Sequence, residues 1–283
     1  MTYLPFVLLL AAVLCLWVQR DLALGMLALS VVAGYYTGAL TGTAALWIAL
    51  LGVIAYLQPG RTGLQRVATR LVFFLFAVAL GLLLFPGFPR TVIVENVVLS
   101  PGAMPYTLGL GFAKVVTGIF ILAFMHPERV RSWRELGQVL TRIAPVFVVT
   151  SVVVMVLTLA LGYVQFDPKW TPLFFTWAVV NLFFTCLSEE AFFRGFVLRE
   201  LQELGSNRKV SAFVALVVSS LLFGLVHLAG GWKYALAATL AGFGYGIAYQ
   251  RTGRLEGSMA VHFGLNATHF LLFTYPALAP VVR

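Results

Sequence analysis

Long apolar stretches recur along the chain, cut by short basic or Pro/Gly breaks, near 4–18, 22–36, 39–57, 71–87, 105–125, 143–163, 172–198, 210–228, 232–250 and 259–277. A hydrocarbon core of roughly 30 Å takes about 20 helical residues to cross. The pattern therefore predicts an all-α, polytopic transmembrane bundle of about eight to ten spans. Two boundaries are soft. The first two stretches are separated only by Gln19-Arg20-Asp21, and the break at 37 and 38 falls inside the ladder Gly34, Gly38, Gly42, a spacing that favours close helix packing. One helix across that second break would be about 54 Å long, too much for a bilayer. The longest loops, 88–104 and 126–142, are too short for a soluble domain, and no internal repeat of the solenoid or duplicated-transporter kind is evident.

Composition changes the picture in one respect. With 61% apolar and 10% charged residues, against about 45–50% and 25% in soluble domains, the chain is a membrane protein by class. Its net charge of +9 invites a nucleic-acid reading, but the Lys and Arg are scattered singly between apolar runs and form no dense stripe. Topology accounts for them: 13 of the 19 fall in loops of one side, only Arg90, Lys169, Lys233 and Arg283 fall on the other, and Lys114 and Arg194 lie within spans. By the positive-inside rule both termini are expected outside. Cys15 and Cys186 sit in apolar runs without paired spacing, which suggests neither a disulfide framework nor a zinc ribbon. The first apolar run has no basic leader and no evident cleavage site, and is expected to be a retained span.

The chemistry is concentrated in Glu189-Glu190-Ala191-Phe192-Phe193-Arg194. One charge at the centre of a span costs roughly 2.5–3.5 kcal/mol on insertion scales, so three are kept only if they neutralise each other or act chemically. Glu190 and Arg194, four apart, are expected to pair on one helix face. Glu189 lies about 100° round the helix and has no basic residue within one turn of it. Further along, His227 ends Phe223-Gly224-Leu225-Val226-His227 before the helix stop Gly230-Gly231, His262 and Asn266 share a helix face, and His269 follows one heptad on. A single buried histidine is usually a packing residue. Two Glu, two His and an Asn in three consecutive lipid-length segments supply a base, a proton shuttle and oxyanion donors. The alternatives are a polar network that glues helices in a non-catalytic scaffold or receptor, an ion path in a transporter, or a zinc site. For the last, the ligands would be Glu190, His227 and His262, although no His-Glu-x-x-His occurs.

Glu-Glu-x-x-x-Arg at 189–194, Phe-x-x-x-His at 223–227 and His-x-x-x-Asn at 262–266 resemble, in order and spacing, the signature motifs of the CAAX protease and bacteriocin-processing family of intramembrane glutamic endopeptidases. Arg251-Thr252-Gly253-Arg254-Leu255 is similar to a connector common there. The resemblance covers roughly 172–275. It implies a catalytic transmembrane core over 172–283, with 1–171 as an accessory bundle of about six spans. It further implies that Glu189 with His227 activates a water, that His262 and Asn266 hold the oxyanion, and that Glu190 and Arg194 orient the site, with no cofactor. The partners expected are the bilayer and a membrane protein or peptide, prenylated or not, and no nucleic acid. The expected location is the bacterial cytoplasmic (inner) membrane. One joint is strained: His262 lies only a few residues past the 251–258 connector, and reaches the depth of His227 only if that connector dips or the span at 232–250 tilts or shortens.

Overall fold

A computed structural model describes residues 2–126 and 128–280; Arg283, counted above among the outer cations, lies outside the described residues. The elements in order are α1 Leu4–Cys15, α2 Arg20–Tyr36, α3 Gly42–Tyr56, α4 Gly63–Gly81, strands β1 Thr91–Val97 and β2 Tyr106–Leu110, α5 Ala113–Phe124 and α6 Trp133–Ala160. A helix over Leu173–Leu204 follows, and then α10 Arg208–Val226, α11 Trp232–Thr252 and α12 Leu255–Leu272. The long helix comprises α7 Leu173–Val180, a π-helix Asn181–Cys186, α8 Leu187–Glu190, a second π-helix Ala191–Leu198 and α9 Arg199–Leu204.

The chain is a helical membrane bundle. Among the described residues, α4, α6, the 173–204 helix and α10 are long and apolar enough to cross a bilayer, while α1, α3 and α5 are shorter apolar helices. Several expected boundaries move, each for a local reason. The stretch at 71–87 becomes a helix beginning at Gly63 and ending where Leu83 takes φ 56°. Residues 143–163 extend back to Trp133 because Ser132 accepts from the Glu135 N–H, a capping interaction that opens the helix within the supposed loop. The stretch at 105–125 is helical only from Ala113; its first residues form β2, paired with β1 in a two-stranded sheet. Gly253, with φ 63°, ends α11 in the left-handed conformation that glycine tolerates, and α12 restarts two residues later.

The chain forms two compact units: 1–92 with 109–127 and 183–196, and 93–108 with 128–182 and 197–283. In the first, α5 is the central helix: ten of its 12 residues are buried. In the second, α11 packs on α6, α10 and α12. Small residues permit these approaches. A Cβ on Gly244 would meet Thr150 Oγ1 at 2.1 Å, one on Gly246 would meet Leu216 at 2.4 Å, and one on Gly264 would meet Phe147 at 2.6 Å. The residues after α12 are laced back onto the loop after α6: Thr274 N–H donates to Gln165 O at 2.9 Å and Leu278 N–H to Tyr163 O at 3.0 Å. Lys169 Nζ donates to Phe273 O and pairs with Asp167 at 3.4 Å. Burial holds the Lys169 ammonium below the usual lysine range, and Asp167 works against that shift.

Candidate active site: an acidic group and an imidazole group

In the first unit, the acidic residues sit on α8 between the two π stretches. A π turn carries one residue more than an α turn, is rare, and is found frequently at functional sites. Leu187, Ser188, Glu189 and Glu190 are all buried. Arg194 Nη1 donates to Glu190 Oε1 at 3.0 Å, with both side chains fully enclosed, so the pair expected from the four-residue spacing forms. The Arg194 guanidinium also lies 5.8 Å from the centre of the Phe193 ring. Two opposite charges at this distance remove each other's need for water, which neither could do alone in an apolar surrounding.

Glu189 departs from expectation. Lys114 Nζ lies 3.3 Å from its Oε1. The absence of a basic neighbour holds only along its own helix; the cation comes from α5, 75 residues earlier. Gly118 makes the approach possible, since a Cβ there would fall 3.1 Å from the Ser188 Cα. With no side chain between them, α5 and α8 lie nearly backbone to backbone, and Lys114, one turn before Gly118, comes level with Glu189.

The second unit carries the imidazoles. α10 ends at Val226 and His227 is its C-cap, followed by a 3₁₀ turn Leu228–Gly230 and by Gly231 at φ 95°, as the double glycine suggested. His227 Nδ1 lies 2.6 Å from the Phe223 carbonyl oxygen. A carbonyl only accepts, so Nδ1 carries the hydrogen, and in the neutral ring Nε2 is the basic nitrogen. His262, almost fully enclosed, stacks on Tyr245 with centroids 4.3 Å apart and planes at 14°. Phe223 touches both histidines, 4.6 Å from His227 and 5.8 Å edge-on from His262. One ring therefore lies against both imidazoles. α12 starts directly at Leu255, and Tyr245 and His262 lie at similar distances on either side of the Gly253 turn. Asn266 Nδ2 donates to Asn181 Oδ1 at 3.2 Å. His269 Nε2 donates to Thr274 O at 3.1 Å, a structural role at the end of α12.

The structure thus gathers Glu189, Glu190 and Arg194 in one unit, and His227, His262 and Asn266 in the other. Among the described residues, no three His, Cys, Asp or Glu side chains are grouped as a metal site. Sequence reasoning missed Lys114, Asn181 and Tyr245. Lys114 and Asn181 did carry a signal, a polar side chain isolated in an apolar run, which membrane energetics marks for attention. Tyr245 carried none.

Residues 169–268 match the family model described as Type II CAAX prenyl endopeptidase Rce1-like. The three motifs, from Glu189 to Asn266, fall entirely inside that segment. No curated protein and no solved structure matches the chain. The match is to a family of peptidases, and the apolar helices make the chain an integral membrane protein. Through this segment the chain is similar to the CAAX prenyl endopeptidases of the Rce1-like family.

Proposed function

We propose that the protein is an intramembrane endopeptidase that hydrolyses a peptide bond of a membrane-associated protein or peptide. In this reading Glu189, aided by His227, takes a proton from water. The new hydroxide attacks the scissile carbonyl carbon, and His262 and Asn266 donate hydrogen bonds to the oxyanion. As the intermediate collapses, the C–N bond breaks and the proton passes to the departing amine. Glu190 and Arg194 orient the acidic helix. Residues 172–283 form the catalytic core, with 1–171 accessory, and the protein works in a bacterial inner membrane.

The observation that carries this reading is that all six residues lie in the matched peptidase segment, on helices where charge is costly to hold. The tautomer of His227 supports it, because a basic Nε2 suits a group that receives and returns a proton. The fixed amide of Asn266 supports an oxyanion role, since Asn181 holds its oxygen-seeking nitrogen in one orientation. The family description points to a prenylated substrate.

The experiment is a comparison of terminal peptides in membrane proteomes of cells carrying wild-type protein and Glu189→Ala. At least one membrane protein is expected to lose a terminal peptide only with the wild type. Identical termini under both conditions, with both proteins present in the membrane, contradict the reading.

A further inference from the structure

α5 holds one charged residue, and it stands at an unfavourable end. Lys114 is the second residue of the helix, where the backbone dipole is positive and the first N–H groups already seek acceptors. It is also one of only two α5 residues that are not buried, its side chain being 58% exposed at the edge of an otherwise enclosed helix. Its ammonium nevertheless reaches a carboxylate only 10% exposed. The close approach at Gly118 is what brings the two level. α4, which meets the same helix through Phe73 against Phe196 and Phe74 against Phe192, carries Arg66 and Arg70, and Arg70 lies over Phe196. Glu190 and Arg194, on the same helix, form their own pair.

We propose that Lys114, which lies outside the matched peptidase segment, is a positioning residue of the reaction: its ion pair with Glu189 fixes the carboxylate's orientation on α8. This rests on the peptidase reading for Glu189. The accessory part of the chain then supplies a working piece of the site, and Gly118 serves it by setting the spacing between α5 and α8.

The test uses the full chain in detergent, with Lys114→Met, Lys114→Arg and Gly118→Ala, and with Lys114→Met in a Glu189→Gln background. Two quantities are read: cleavage of a farnesylated, internally quenched peptide, and the thermal midpoint. Lys114→Met is expected to lower kcat about tenfold or more with KM within about twofold, since misplacement of a catalytic group costs rate more than ground-state binding. Lys114→Arg should recover most of the loss, and Gly118→Ala should reproduce part of it. In the double-mutant cycle, Lys114→Met should move the midpoint by less than about half as much once Glu189 is Gln. An unchanged kcat in a folded Lys114→Met protein, or an equal midpoint shift in both backgrounds, overturns the inference. If wild-type protein leaves the peptide intact, or Glu189→Gln cleaves it as well as wild type, the peptidase reading fails instead, and the midpoint cycle still decides whether Lys114 acts through Glu189.

Discussion

The two polar groups of the molecule are held in apolar surroundings by different physics. The acidic group is held by charge: Glu190 against Arg194 at 3.0 Å and Glu189 against Lys114 at 3.3 Å. The imidazole and amide group is held by ring faces and neutral hydrogen bonds: His262 on Tyr245, His227 on the Phe223 carbonyl, Asn266 on Asn181. A formal charge out of water demands an opposite charge, whereas a neutral polar atom is satisfied by one good hydrogen bond. The fold therefore depends on the acidic group more than on the imidazoles, and the imidazole end can be altered at small structural cost.

This contrast can be broken by mutation, and the largest effect belongs to the buried ion pair. Arg194→Ala removes the ion-pair partner of a buried Glu190 and should destabilise by about 3–5 kcal/mol, visible as a loss of folded yield in detergent. Replacing both partners, Glu190→Leu with Arg194→Met, should recover most of that stability, because the pair's value lies in mutual compensation. A well-folded Arg194→Ala protein would erase the distinction between the two groups. At the other end, Asn266→Ala should keep its fold while turnover of the peptide falls by about 10²-fold, the cost of one oxyanion donor. Asn181→Ala, which removes the acceptor that holds the Asn266 amide, should fall less. Tyr245→Leu removes the stacking under His262 and should cost about 0.5–1.5 kcal/mol beyond lost area, measured as a modest drop in thermal midpoint.

The smallest effect concerns Lys169, a cation in the loop between α6 and α7 that Asp167 compensates only in part. Burial lowers its affinity for a proton in the folded state, so between that lowered value and the ordinary 10.5 the unfolded chain binds more protons. Stability should therefore rise as pH climbs through that window, and the difference in midpoint between wild type and Lys169→Met should shift accordingly. A difference independent of pH would show that the ammonium is not penalised there.

Much of this arrangement could be read from residue spacing, and the remainder had no periodic signal. The Glu190–Arg194 pair follows from a separation of four, and the stop after His227 follows from Gly230-Gly231. The helices near 172–198, 210–228 and 232–250 stand close to their expected places because their edges carry Gly, Asn or charge. The hairpin at 91–110 reads in the sequence as a loop and a span, since Tyr106, Leu108 and Leu110 satisfy a hydropathy window as well as they satisfy a strand. Its β-branched run Thr91-Val92-Ile93-Val94 was the available hint. Lys114 meets Glu189 through tertiary packing alone, set by one glycine, and the π turns on either side of α8 have no pattern of apolar positions that announces them.

Glu189 is proposed as the base of a hydrolytic reaction, and one substitution addresses that role directly. Glu189→Gln keeps size and hydrogen bonding but removes basicity, so the purified protein in liposomes should fold like wild type and cleave the farnesylated, internally quenched peptide at least about 10²-fold more slowly. Strong chelation of the wild type should change little. Near-wild-type turnover by Glu189→Gln would contradict the assignment, and activity lost to chelator and regained with added zinc would make the residue a metal ligand or the base for a metal-bound water.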